Sequence, residues 1–547
     1  MSFLNRIFHK AHHFTTLREK YILWKWKKYI FYFVLLTSIA LFIFGMVYFD
    51  TFQFAKGGNI YFKGKLHKLF SFLSHDEFNF PGENLWVRNL KYLWVTLKYV
   101  ALGNFIGFSM AFVSAYLSTS ELHRRKLFSL LNKFFCGFLR SFPVLILFSF
   151  FQSGFKGSLA ATLIIAWFTW LWLTRYLSEL FSNLDYFKYW QSIRGGMSKF
   201  QSFRINVLGQ LKNKVLLFFI YSFESNLRWT SILGKLGIIG VGWFYKNYLP
   251  DKMQFLGISL AIMLLSILIL ELIMLFFNKV LFESSSINFD TKVPTSFKYN
   301  WRRIIKYLFL FLMLILCISC LFDFQASSFD YDAFKIYLAD FFSFDFSKYH
   351  EDKTPFYYTL IVIFQGYTAT FLGTIFAILY GYLISEKNQK SYVHLPLKVL
   401  LIAFRIIPIV VLYYLFIDLT NASGLMTFLI AFSVFRSLSR KIAESFNAIN
   451  QKEITTMKRV GHSNFFVFMK FKFRAIKHDL IALMFFEFES ACRDAVTFGI
   501  FMPIGMGSIY AHYQSKELYS QIIPLFLPLI CFFIFLEVVS YKIRKIH

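Results

Sequence analysis

The sequence predicts an all-α polytopic membrane protein of about twelve transmembrane helices, arranged as two parallel-oriented six-helix repeats. Three observations predict it. First, 57% of the 547 residues are hydrophobic, 22% are aromatic and the mean hydropathy is +0.52, too apolar for a soluble multidomain chain. Second, the run Phe223-Glu224-Ser225-Asn226-Leu227-Arg228, with Gly234, Gly240 and Gly242 behind it, returns as Phe488-Glu489-Ser490-Ala491-Cys492-Arg493 with Gly499, Gly505 and Gly507. The offset is 489 − 224 = 265, and it also relates Gly196 to Gly461, Ser198 to Ser463, Arg140 to Arg405, Pro143 to Pro408 and Arg175 to Arg440. The window 223–242 shares eight identities with its copy, where chance gives about one or two. Third, the basic residues behind the net charge of +29 fall in short stretches between apolar runs. That is the positive-inside pattern rather than the single basic face that nucleic acid requires.

The N-terminal stretch carries Arg6, Lys10, Arg18, Lys20, Lys25, Lys27 and Lys28 ahead of an apolar run over 29–49. The run is too long for a signal-peptide core and no small-residue cleavage site follows it, so it reads as a retained first span with a cytoplasmic N-terminus. Helices long enough for a ~30 Å core centre near Leu36, Ala101, Leu147, Trp167, Phe223 and Leu265, then near Leu312, Phe371, Val410, Ala431, Phe488 and Phe532. An alternating path puts Arg124-Arg125-Lys126 and the basic stretches 188–214, 302–306 and 436–477 inside. It puts the acidic stretch 323–352 outside and returns Lys542, Arg544 and Lys545 inside. Six spans per half leave the halves in the same orientation. The polar stretch 283–296 is the joint, dividing the chain into repeats 1–285 and 286–547.

Two loops, near 186–212 and 451–477, precede the repeated motif. They read Arg194-Gly195-Gly196-Met197-Ser198-Lys199-Phe200 and Arg459-Val460-Gly461-His462-Ser463-Asn464-Phe465. A glycine between short helical pieces permits a sharp turn, and the aromatics beside it offer an apolar knuckle that can enter a partner's groove. The alternative is an interfacial helix on anionic lipid, and two copies at matching positions favour the partner.

Glu224 lies ten residues beyond Lys214 and Glu489 ten beyond Asp479, placing each carboxylate ~15 Å into the membrane. Ions there need partners, and Arg228 and Arg493 follow four residues later on the same helix face. The two pairs either line and gate a solute path or clamp each helix to its bundle. Pro143 and Pro408 kink their spans by removing a backbone donor. Such kinks serve flexing or static packing, and Arg140 and Arg405 sit near enough to the inner end to snorkel. Cys317 and Cys320 have redox-like spacing inside an apolar run and read as small buried hydrophobes. His9, His12 and His13 form a loose tract, and no cluster has metal-ligand or catalytic spacing.

On these residues the chain resembles the membrane permease of ATP-binding-cassette (ABC) importers, of the phosphonate-transport type. Those permeases carry a coupling loop E-A-A-x-x-x-G, a hydrophobic segment ending in L-P-Q, and a span with F-E-x-N-x-R followed by glycines. Gly196, Ser198, Phe203, Arg204, Leu208 and Gln210 match the loop, and Phe223, Glu224, Asn226, Arg228, Gly234 and Gly240 match the span. Gly461, Ser463, Phe468, Phe488, Glu489, Arg493, Gly499 and Gly505 match in the second half. The glutamate-alanine-alanine run is replaced by Trp190-Gln191-Ser192 and Thr455-Thr456-Met457, and Gly209 and Arg474 stand at the proline position. The fused halves and Phe- and Lys-rich composition resemble the mollicute version.

The resemblance implies a type I ABC importer-like fold and a transport subunit with no cofactor, metal or catalytic residue of its own. Two copies of a separate ATPase, which bind the ATP, would dock at the loops around Gly196 and Gly461. An extracytoplasmic solute-binding lipoprotein or anchored protein would deliver the solute. That solute is expected to be a small organic anion such as a phosphonate or phosphate ester, with a phosphorylated vitamin such as thiamine diphosphate as an alternative. The rivals are a secondary transporter driven by an ion gradient through Glu224 and Glu489, and an intramembrane enzyme, for which no constellation is visible.

Overall fold

The computed structural model describes residues 17–51, 53, 55, 58–71, 79–80, 83–123, 126–235, 237–248, 253–277, 296–324, 329–350, 353–449, 454–455, 457, 459–461, 463–502 and 504–546. His9, His12, His13, the Arg124-Arg125 pair and the joint over 283–295 lie outside the described residues. Apart from a short hairpin pairing Asn79–Phe80 with Glu83–Asn84, the described chain is helical.

The first half begins with α1 (Leu17–Tyr48), α2 (Gly58–Phe70) and α3 (Leu85–Ser118). Asn84 starts α3 by accepting a hydrogen bond from the Trp86 N–H, which relieves one orphan donor of the first turn. Then come α4 (Lys126–Ser141), α5 (Val144–Gly154), α6 (Gly157–Ser182), the short α7 (Phe187–Arg194) and the long α8 (Gly209–Lys235). α9 (Trp243–Tyr248) and α10 (Leu256–Phe276) follow.

The second half runs through α11 (Ser296–Leu321), α12 (Tyr331–Phe341), α13 (Pro355–Leu383), α14 (Ser391–Ile406) and α15 (Ile409–Phe416). Thr354 caps α13 ahead of Pro355, which has no N–H to orphan. α16 (Ala422–Ala448), α17 (Phe473–Phe498), α18 (Gly505–Ser515) and α19 (Ile522–Ile546) complete the chain. The starts of α4 and α14, and of α6 and α16, are 265 residues apart.

Every centre named from the sequence falls on a helix. Among the described residues seven helices are long and apolar enough to cross a membrane, or nine if two bent pairs each count as one span. Three helices centred on expected spans fall outside that number: α1, whose described apolar part is only Tyr32–Tyr48, and the polar α8 and α17. The latter two carry Glu, Arg and Lys along their length and are sheathed by α3, α13 and α16, so neither needs an apolar surface all round. The expected kinks at Pro143 and Pro408 are corners instead. Each proline sits just before its helix, with ψ of 141° and 135°, and the segments on either side diverge by 80° for α4–α5 and 86° for α14–α15.

The halves are interwound. α1 packs on α13, where Ser38 hydrogen-bonds the Tyr367 hydroxyl at 2.5 Å and Phe42 stacks on Phe371 at 4.6 Å. Reciprocally α11 packs on α3, where Lys98 pairs with Asp323 just beyond α11. The short helices cross over in the same way. α2 lies on α15, with Lys65 donating to the Tyr414 carbonyl and pairing with Asp418. α12 lies on α5, with Tyr337 bonded to Ser149 at 3.0 Å and Asp330 paired with Lys156 at 3.0 Å. The Ala333 N–H and Lys156 hold the exposed Asp330 carboxyl below its usual range. Among the described cysteines all are free; Cys317 and Cys320 are buried, and Cys320 lies 3.8 Å from the Thr162 hydroxyl.

Inside each half the closest approach is between α3 and α6, and between α13 and α16. A side chain at Gly107 would meet the Ala166 carbonyl and Thr169, and one at Gly373 would meet the Ala431 carbonyl and Val434. Without a hydrophobic driving force between lipid-bathed helices, this close fit supplies much of their attraction. Gly107→Val should therefore destabilise the protein by about 1–3 kcal/mol, read as a lowered thermal midpoint in detergent. Gly64→Ala, on α2 with open space around it, should leave the midpoint unchanged or slightly raised.

Candidate functional site

Two matched turns stand on one end of the bundle, called here the loop face. Gly196 and Gly461 adopt φ of +93° and +89°, a backbone region that strains any residue with a side chain. After each turn a serine caps a one-turn helix: Ser198 Oγ accepts from the Gln201 N–H and Ser463 Oγ from the Phe466 N–H, both at 3.2 Å. A wide π-type stretch then leads without a break into α8 (203–208) and α17 (468–472).

Phe200 is 74% exposed, and Arg194, Ser198, Arg459, Gly461 and Ser463 are also exposed. The Phe465 side chain lies outside the described set. Beneath the first turn, the Ser202 hydroxyl donates to the Tyr189 carbonyl at 2.9 Å and Asn206 donates to Ser192 at 2.9 Å. Burial pushes the Tyr189 phenol up to about 12. The first turn is thus tied by hydrogen bonds to the segment that leads into α8 while Phe200 at its tip stays bare.

The long helices carry the repeated acid–base pairs into the centre of the bundle. Arg228 donates to Glu224 at 2.9 Å and Arg493 to Glu489 at 3.0 Å, both carboxylates being nearly buried. On the opposite face of α8, Asn226 donates to Asn104 (3.0 Å) and Thr169 (2.8 Å), pinning the helix to α3 and α6.

The two pairs do not share one chamber. Arg228 lines a cavity of about 650 Å³ between the halves, walled by α6, α8, α10, α14 and α16. Glu489 and Arg493 line a smaller one of about 180 Å³, closed in by Phe142, Trp167, Phe168, Trp172 and Phe486. Here the charges are locked across the seam. Glu489 also faces Arg175 at 3.6 Å, Arg493 donates to the Arg140 carbonyl at 2.7 Å, and Arg140 pairs with Glu537 of α19. Arg140 therefore does not snorkel; a carboxylate of the other half neutralises it.

The larger cavity runs from the loop face, where Lys214, Arg440 and Lys441 line it, to Arg228. Arg228 lies fourteen residues beyond Lys214, roughly 20 Å along the helix. Arg405 and Arg436 complete the cationic wall. The basic stretch 436–477, expected on the inner side, begins on α16, and Arg436, Arg440 and Lys441 lie on that helix. Two further acids on α17 stand outside the repeated pairs: Glu487, which accepts from Ser437 (2.6 Å) and Lys441 (2.7 Å), and Asp494, which accepts from Ser433 (3.2 Å). Ionisable residues inside a helix that must cross lipid were the available signal. Among the described residues no group of acidic, histidine or cysteine side chains could hold a metal.

The chain is similar to two curated mycoplasma proteins, each described as an ABC transport system permease protein p69. The Mycoplasma pneumoniae protein is 28% identical over 463 residues, covering 83% of this chain and 85% of its own. That of Mycoplasma genitalium is 26% identical over 537 residues, covering 96% and 95%. No family model matches the chain, and no solved structure matches it. With the apolar helices, these similarities support a multi-pass membrane protein of the ABC permease kind.

Removing the acid from a largely buried ion pair strands its partner. Glu537→Gln, which strands Arg140, should lower stability by about 3 kcal/mol in a thermal-unfolding comparison. Glu444→Gln, which breaks the exposed pair with Arg440, should change it by about 0.5 kcal/mol or less.

Proposed function

We propose that this chain is the transmembrane permease subunit of an ATP-binding-cassette importer in the plasma membrane. In this reading residues 1–285 and 286–547 are duplicated permease repeats that enclose one solute path along their seam. The loop face is cytoplasmic, as are both termini. The observation that carries the reading is the pair of left-handed glycine turns at Gly196 and Gly461, the first with a bare Phe200 at its tip and each continuous with a helix that reaches the centre. A secondary transporter has no need of two such knuckles. The permease relatives point the same way.

The geometry suggests how the subunit would work. Two copies of a separate ATPase would grip the turns, and ATP-driven closure would draw them together. Because the π-type stretch continues directly into α8 and α17, motion at a turn becomes motion of the Glu224–Arg228 and Glu489–Arg493 pairs. The Pro143 and Pro408 corners free α4–α5 and α14–α15 from moving as single rods. A solute-binding protein would deliver the solute from outside. The cationic wall of the large cavity suits a small organic anion such as a phosphonate or phosphate ester. The permease itself holds no catalytic group in this scheme, and ATP is hydrolysed on the partner.

The test is affinity purification of the tagged protein from its native membranes, beside the double variant Gly196→Trp, Gly461→Trp. An ABC ATPase should co-purify with the wild type and be lost with the variant. Absence of any ATPase from well-folded wild type would overturn the reading and leave ion-coupled transport through Glu224 and Glu489.

A further inference from the structure

The two sides of the seam have diverged in charge. At the 265-residue offset, Phe168, Leu171, Trp172 and Tyr176 of α6 correspond to Ser433, Arg436, Ser437 and Lys441 of α16, and Trp229 of α8 corresponds to Asp494 of α17. In the first half Phe168 and Trp229 pack ring to ring at 4.8 Å; in the second their counterparts are a hydrogen-bonded Ser433 and Asp494. Aromatic bulk closes the side that holds Arg140 and Arg493, whereas short and cationic side chains open the side that holds Arg228, Arg405 and Arg436.

The open side is left with arginines that lack a directly contacting carboxylate. Around the cavity Glu224 pairs with Arg228, Glu444 with Arg440 and Glu487 with Lys441. Arg405 has no carboxylate within ion-pair distance among the described residues, although Glu224 and Glu271 act on it from farther away. Arg436 donates to the carbonyls of Phe404 (2.8 Å) and Ile407 (3.2 Å), rests over the Phe432 ring and faces Asp494 only at longer range. Arg228, Arg405 and Arg436 lie close enough to repel one another. Three guanidiniums share one carboxylate in direct contact, with Glu271 and Asp494 acting only from farther away, so two of them lack a direct counter-ion in a low-dielectric place, where that is costly. A compact oxyanion with two charges and several acceptor oxygens is what planar guanidinium forks recognise.

We propose that Arg228, Arg405 and Arg436 form one binding site, on one side of the seam only, for the dianionic head of the transported solute, a phosphate- or phosphonate-like group. The corresponding place around Arg140 and Arg493 is a strut whose charges are already neutralised by Glu537 and Glu489, and it binds no anion. This rests on the reading of the seam as the solute path. It adds a stoichiometry of one anion per chain and makes two guanidiniums that touch no carboxylate the source of anion selectivity.

The test uses the full-length protein in lipid nanodiscs with methylphosphonate and inorganic phosphate as probes and acetate at equal ionic strength as control. Binding is followed by calorimetry, and arginine modification by phenylglyoxal is mapped by mass spectrometry. One dianion per chain should bind, protecting Arg405 and Arg436 but not Arg140 or Arg493, and acetate should protect none. Arg436→Leu, which installs the residue found at the matching position of α6, should weaken binding at least tenfold; Arg405→Gln provides a second variant should the first fold poorly. Two anions per chain, protection of Arg140 or Arg493, equal protection by acetate, no dianion binding, or unchanged binding in both variants would each overturn the site. ATPase co-purification is scored on the same samples. Lost anion binding with the ATPase retained contradicts the site alone, whereas a wild type that retains no ATPase contradicts the permease reading itself.

Discussion

Charge buried among apolar helices must find a partner, and in this protein the partners sit partly on the same half, as in Glu224–Arg228, Glu489–Arg493 and Glu487–Lys441, and partly on the other half of the chain. Arg140 of α4 pairs with Glu537 of α19, Arg175 of α6 faces Glu489 of α17, and Arg493 of α17 reaches the Arg140 carbonyl. The swapped packing of α1 on α13, α11 on α3, α2 on α15 and α12 on α5 brings these elements together. The seam holds these cross-half contacts and borders the cavities around Arg228 and Arg493, while an apolar cavity lies inside the second half between α13 and α16.

That constraint gives the long helices α8 and α17 two tasks. At one end they continue without interruption from the turns at Gly196 and Gly461; at the other they carry Glu224–Arg228 and Glu489–Arg493. No loop interrupts the helical path from either turn to its ion pair. Asn226 holds α8 to its own half through Asn104 and Thr169, while Ala491 at the matching place on α17 packs without a polar tether. The two levers are alike in plan and unequal in attachment, and the cavities they border are unequal too.

Much of this was legible from the residues. The fixed offset located both turns, both ion pairs and both prolines, because duplicated backbone tasks preserve glycine, proline and paired ions. Three things were not legible, each for a physical reason. The corners at Pro143 and Pro408 depend on how α5 and α15 pack under the opposite half's outer helix, which local sequence does not encode. The partner of Arg140 lies some four hundred residues away, beyond any i,i+4 pattern. The cationic wall at Arg436 and Lys441 and the acids Glu487 and Asp494 arise where the halves differ, and a search for identities passes over such positions. Hydropathy finds up to nine spans among the described residues; it passes over α8 and α17, which are polar helices sheathed by others, and α1, whose described apolar part is short.

The central claim is that the larger cavity is an anion-selective vestibule open to the loop face. The most direct measurement is the labelling rate of Ser437→Cys, whose position lines that cavity, in a background where the exposed Cys531 is replaced by serine. Anionic and cationic methanethiosulfonate reagents of similar size are compared on vesicles of both orientations. The account expects labelling from the cytoplasmic side, severalfold faster with the anionic reagent. Faster labelling by the cationic reagent, or labelling only from the outer side, would contradict it.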